Sequence, residues 1–159
     1  MQVRPVTSPC KPLTNGFCGN VWALPQALEK DYSVLNSGAT GRRIIVHRCI
    51  KDFLETSLNK RSGGAHEERV QRIMTALVDL MERGISQNSK KMKYIKDDLY
   101  ELRPNKSDRI FFFKKKGDFV AVGHIKKQRP HISDREMKPF YDRMKAFIET
   151  MGQSVIFLT

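Results

Sequence analysis

Two kinds of hydrophobic spacing divide this chain. Between residues 50 and 81 apolar side chains recur at helical intervals: Ile50, Phe53, Leu54 and Leu58, then Val70, Ile73, Met74, Leu77, Leu80 and Met81. Each set makes one apolar stripe with polar residues around it, the pattern of a helix lying on a core. The Gly63-Gly64 pair reads as the loop of a helical hairpin, and Gly84 sits where the second helix needs its C-terminal cap. From residue 91 the period changes to two. "LYELR" (99–103) alternates, "RIFFF" (109–113) is apolar enough for a central strand buried on both faces, and "DFVAVGHI" (118–125) follows a Lys-Gly turn. "KMKYIK" (91–96) is a weaker, basic candidate, and "RRIIVH" (42–47) is a short β-branched strand. A second helical stripe follows: Met137, Phe140, Tyr141, Met144, Phe147, Ile148 and Met151. Ser133 and Glu136 form its capping box, Pro139 predicts a kink or a later start, and Gly152 predicts its end, leaving "SVIFLT" for a last strand.

This order predicts an α+β fold: a small antiparallel sheet with an N-terminal helical hairpin on one face, a C-terminal helix, and the other face open. Residues 1–41 have poor periodicity and are broken by Pro5, Pro9, Pro12, Gly16, Gly19 and Gly41. They read as an N-terminal extension, loosely structured or docked through Val21, Trp22 and Leu24, with a short helix around Pro25 to Asp31. Residues 42–159 make the domain.

Charge changes the picture from fold to partner. The 159 residues carry 29 Lys and Arg against 17 Asp and Glu, a net charge of +12. Residues 1–40 account for +1 of this and residues 89–130 for +8, so the excess marks a defined basic region. A polyanion is the expected partner. No apolar run approaches the ~18 residues of a membrane span, and the N-terminus lacks the apolar core of a secretory signal. With Cys10, Cys18 and Cys49 as an odd set of reduced thiols, the chain reads as cytoplasmic.

The stretch "LYELRPNKSDRIFFF…GDFVAVGHIKKQRP" resembles the RelE/HigB toxins of bacterial toxin–antitoxin systems, and within them the phage-derived HigB-like branch. The shared pattern is a Leu-Tyr-Glu-Leu-Arg strand, a turn, an Arg-led hydrophobic strand, a second hydrophobic strand, and Lys-Lys with a nearby Pro before a helix. The likeness runs over about residues 42–150. It implies a small curved RelE-like sheet carrying substrate RNA on its concave face. It also implies an endoribonuclease that cuts translated mRNA on the ribosome and is silenced by a cognate antitoxin with a helix-turn-helix module.

Such cleavage proceeds by attack of the RNA's own 2′-hydroxyl, with no cofactor and no metal, and the chain shows no His, Cys or carboxylate cluster spaced to bind one. The chemistry asks for cations on the crowded phosphate and for acid–base groups. Arg109 and Arg103 flank a tight turn and suit bidentate phosphate binding; the alternative for Arg109 is a surface arginine paired with Glu101 or Asp108. Lys127, ahead of Lys126, and Arg129 follow the last strand. His131, in the loop, is a candidate proton carrier. His124, in phase with Val120 and Val122, is either a second one or a satisfied core histidine. Lys93, Lys96 and the run Lys114, Lys115 and Lys116 are expected to hold RNA nonspecifically. Two other functions share the scaffold: a ParE-like gyrase poison without RNase activity, and an inactive RNA-binding relative.

Overall fold

The computed structural model describes residues 23–37, 41–59 and 64–156. The expected docking residues Val21 and Trp22, the thiols Cys10 and Cys18, and the end of "SVIFLT" lie outside them. Cys49 is a free, half-buried thiol, and burial pushes its pKa up.

The helical hairpin forms where the apolar stripes place it. α2 runs Arg48–Asn59 and α3 runs Gly64–Arg83. Gly84 closes α3 at φ +76°, its N–H donating to the Leu80 carbonyl at 2.8 Å, a left-handed cap that favours glycine. Upstream lie α1 (Gln26–Glu29), β1 (Tyr32–Ser37) and β2 (Arg43–His47). Downstream lie β3 (Met92–Lys96), β4 (Leu99–Leu102), β5 (Asp108–Lys115), β6 (Asp118–Lys126) and α4 (Asp134–Ile156).

The class is α+β, but the expected small antiparallel RelE-like sheet is not what forms. The sheet has six strands in the order β1-β2-β6-β5-β4-β3, and it is mixed. β2 pairs parallel with β6, Ile44 opposite Phe119 and Val46 opposite Ala121, while the other neighbours are antiparallel. "RRIIVH" is therefore an interior strand. All five residues of β2 are buried, with Ile44 and Val46 in one core and Ile45 in the other. A buried ion pair sets its start: Arg43 donates from Nε and Nη2 to Asp118 Oδ2 (3.1 and 2.8 Å), and its backbone N–H donates to Oδ1 (2.9 Å). β1 occupies the edge beside β2, so the boundary at residue 41 runs between paired strands.

The second face is covered as well. α2 and α3 pack over Ile44, Val46, Leu102, Ile110, Phe112 and Phe119. α4 packs over the opposite side, Leu99, Phe111, Phe113, Val120 and Val122. Phe111 and Phe140 stack at 4.7 Å, and Tyr32 of β1 meets Phe147 edge-on at 4.9 Å. The reason is in the last stripe. Met137, Phe140, Met144, Phe147 and Met151 are all buried, and leaving them exposed would forgo roughly 1.5–3 kcal/mol for each large side chain. The capping box forms, Ser133 Oγ and N–H both meeting Glu136 Oε2 at 2.8 Å. α4 starts at Asp134, ahead of Pro139, and runs past Gly152 to Ile156, where a last strand was expected. A helical glycine costs only about 1 kcal/mol relative to alanine, less than one buried methionine returns.

Gly123 sits beneath α4 so closely that a Cβ there would lie 2.0 Å from the Phe140 ring. Gly123→Ala is expected to lose about 1–3 kcal/mol by overpacking. In thermal or urea melts, Gly123→Ala combined with Phe140→Leu should recover part of that loss. Purely additive destabilisation would show that the ring is not what fills the space.

Candidate nucleic-acid interface

The arginines expected to meet phosphate stand on either side of the loop from β4 to β5. Pro104 starts it, and Asn105 folds it: Asn105 Oδ1 accepts from the backbone N–H groups of Ser107 (2.9 Å) and Asp108 (2.7 Å). This turn lets β4 lead directly into β5, so Arg103 and Arg109 come together. They meet at Glu101, which is 5% exposed. Its Oε1 lies 2.7 Å from Arg109 Nε and 3.3 Å from Arg103 Nε. Arg109 is itself only 7% exposed, and its Nη1 donates to the carbonyls of Asn105 (2.9 Å) and Asp108 (2.8 Å). Arg103 donates from Nη1 to the Ser89 carbonyl at 3.0 Å. One carboxylate thus serves two guanidinium groups, and one positive charge is left over on the α4 side of the strand end.

A different set occupies the helical-hairpin side. Asp108 is fully buried. It accepts from Arg69 on α3 through both oxygens (2.6 and 2.7 Å), from Asn105 Nδ2 (2.7 Å), and lies 2.9 Å from His124 Nε2. Burial by itself would raise the carboxyl's pKa. The hydrogen bonds from Arg69, Asn105 and His124, with the Arg69 charge, outweigh it and hold Asp108 well below the usual carboxylate range. His124 stacks on Phe53 of α2 at 4.7 Å, and the Arg69 guanidinium lies 5.1 Å from the same ring.

His124 is not on the face that simple alternation gives it. Phe111 pairs with Gly123 but Phe112 pairs with Ala121, so Val122 is an extra residue in β6. This bulge keeps Val122 and Gly123 both towards α4 and turns His124 to the α2–α3 side with Ile110.

The remaining candidates divide between the two ends of the sheet. Lys126 is exposed opposite Asp108, and Lys127 is half-buried with its N–H on the Ser107 carbonyl at 2.6 Å. Arg129 and His131 are exposed in the connection to α4, and Lys93 is exposed opposite Glu101. Lys114, Lys115 and Lys116 stand at the β5–β6 turn, where Lys116 has φ +48°, and Lys96 is beside the neighbouring turn with Nζ 5.4 Å from the Tyr141 ring. The length of β5, roughly 23 Å at ~3.3 Å per residue, separates these four lysines from the arginines.

The sequence reading passed over Arg69 and Asn105 and treated Asp108 and Glu101 only as neutralising partners. Asp108 carried a signal: alternation places it in phase with Ile110 and Phe112, so an acid was due to enter the core. Arg69 carried none, since 39 residues separate it from the carboxylate it holds.

The profile of the family described as Phage derived protein Gp49-like (DUF891) matches residues 64–145, from the start of α3 into α4. The chain belongs to that Gp49-like family. It is a RelE-like, toxin-type family. No curated protein matches the chain. The Gp49-like match contains Arg69, Glu101, Arg103, Asp108, Arg109, His124, Lys126 and Lys127. It leaves out β1 and β2, the two strands that widen the sheet.

The depressed Asp108 pKa makes this site acid-sensitive. An aspartate titrates near ~3.9 when unfolded. The stability Asp108 contributes is therefore complete above that value and is lost as pH falls through its lower folded pKa. The melting temperature of the wild type should fall in this acid window, and that of Asp108→Asn should be lower at neutral pH and flatter across it. Parallel pH profiles for the two proteins would contradict this.

Proposed function

We propose that this Gp49-like protein is the toxin of a toxin–antitoxin pair, of the HigB-like kind, and that it cuts translated mRNA at the ribosome. The carrying observation is the gathering at one end of the sheet of Arg103, Arg109, Lys126, Lys127 and Arg129 with Lys93 alongside, in a chain of net charge +12. Both broad faces of the sheet are occupied by helices, so this end is where a polyanion meets concentrated positive charge. The RNA's 2′-hydroxyl attacks the adjacent phosphate, and the cations stabilise the anionic phosphorane. Arg109 is held in one orientation by Glu101 and two carbonyls and acts as a fixed charge. The lysines, more exposed, draw in the strand.

A second reading has support in the Glu101 contacts. Two arginines that share a buried carboxylate are partly neutralised, which suits a protein that binds without cutting, whether an inactive RNA-binding relative or a ParE-like gyrase poison. Mapping mRNA 5′-ends after induced expression separates these. Cuts inside translated frames support the endoribonuclease, and intact mRNA with DNA breaks supports the gyrase poison. The silencing partner is proposed to be an antitoxin with an acidic surface and a helix-turn-helix module, encoded by a neighbouring reading frame.

Replacing Lys126 and Lys127 together by alanine should leave the melting temperature within a few degrees and weaken RNA binding. The slope of log affinity against log salt should fall by about 1.4, at ~0.7 per lost contact to a single strand. Arg109→Ala should instead melt lower, because it leaves Glu101 with one cation and two carbonyls without their donor. An unchanged salt slope in the lysine variant would move the RNA elsewhere.

A further inference from the structure

Most of what surrounds Asp108 is more than a sheet end needs for stability. A carboxylate with no solvent exposure is costly unless it is fully paired. Arg69 alone pairs it bidentately, and Asn105 adds a third hydrogen bond. The fourth partner, His124 Nε2, is not required to neutralise it. The effect of that contact falls on the histidine. An ionised carboxylate only accepts, so Nε2 carries the hydrogen, and in the neutral ring Nδ1 is the nitrogen that keeps a lone pair. Phe53, stacked 4.7 Å away, fixes the plane of the ring. The bulge at Val122 is what turns this side chain out of the α4 core and onto Asp108. His124 keeps 13% of its side-chain surface in solvent, at the same end of the sheet as Lys126.

We propose that His124 is the group that takes the 2′-hydroxyl proton in RNA cleavage, and that Asp108, held by Arg69, is the residue that positions it. The assignment rests on the endoribonuclease reading above, with Lys126, paired in register with Asp108 and so on the same face, as the cation beside the phosphate; Arg103 and Arg109 meet Glu101 on the other face of the strand end. In the step, the 2′-oxygen forms a bond to phosphorus as its proton passes to His124 Nδ1. The bond from phosphorus to the 5′-oxygen breaks, and that oxygen leaves with a proton from water. The imidazolium then returns its proton to the hydroxide so formed. The products are a 2′,3′-cyclic phosphate and a free 5′-hydroxyl. Arg69 keeps Asp108 charged throughout, so the imidazolium is stabilised where it forms, and the Asp108 carboxylate need not accept the proton itself.

The test is single-turnover cleavage of a 5′-labelled mRNA bound in stalled ribosomes, with the full-length protein. His124→Gln is expected to lower the cleavage rate at saturating protein at least 100-fold, with the melting temperature and the concentration for half-maximal rate little changed. Asp108→Asn should lower the same rate by 10-fold or more, again without a matching change in that concentration. Should Asp108→Asn fail to fold, nitrogen NMR of the wild-type imidazole still decides the point. Hydrogen on Nε2 is expected, and hydrogen on Nδ1 would overturn the positioning role. A His124→Gln protein that cuts at the wild-type rate overturns the assignment while leaving the endoribonuclease reading in place. A wild-type protein that cuts no ribosome-bound mRNA overturns both.

Discussion

A carboxylate at the start of β5 holds four parts of the molecule at once. Asp108 begins the strand, receives Arg69 from α3, closes the β4–β5 loop through Asn105, and reaches across to His124 on β6. Hydrophobic packing alone is non-directional and would tolerate some sliding of α3 over the sheet. Two arginine hydrogen bonds of 2.6 and 2.7 Å do not. The arginines and lysines beyond the strand ends depend on that anchorage. Arg109 is the next residue along, and the loop carbonyls that orient it belong to the same turn.

Glu101 performs a similar task on the opposite side of the sheet. The two acids lie on adjacent strands, one towards α4 and one towards the helical hairpin, and each holds a cation that a solvent-exposed site would leave mobile. The result is a strand end whose nearest charges are fixed in direction while Lys126, Arg129 and His131 remain exposed around them. Fixed dipoles and charges stabilise a developing anion without having to reorganise, and mobile ones contribute to capture.

Much of this was legible in the residues. The helical hairpin, the Gly84 cap, the double-sided burial of "RIFFF" and the Ser133–Glu136 box follow from spacing and cap chemistry alone. The sheet's true width was not legible. "RRIIVH" gives no sign of which strand it joins, because a parallel partner is set by a register between residues far apart in sequence. Its consecutive apolar residues do carry the mark of burial on both faces. The open face was misjudged because the last stripe was assigned a helix but no place to bury it. His124 was put on the wrong side because an unpaired Val122 leaves no mark in a run of alternating residues. Arg103 and Arg109 are brought together as a short turn between strands predicts, whereas Asn105 was passed over within that turn and Arg69 is too far along the chain to be tied to Asp108 by any local pattern.

The parallel pairing of β2 with β6 also says something about how the chain reaches this state. Arg43 and Asp118 are 75 residues apart, with α2, α3, β3, β4 and β5 between them. β1 and β2 can make their hairpin early, but the inner edge of β2 must wait until β6 has been made. Closing so long a loop carries an entropic cost before any contact repays it. The β2–β6 joint is therefore expected to close after the local β5–β6 hairpin. During synthesis, the β1–β2 hairpin spends the time needed to add those residues with one edge of backbone N–H and C=O groups unpaired.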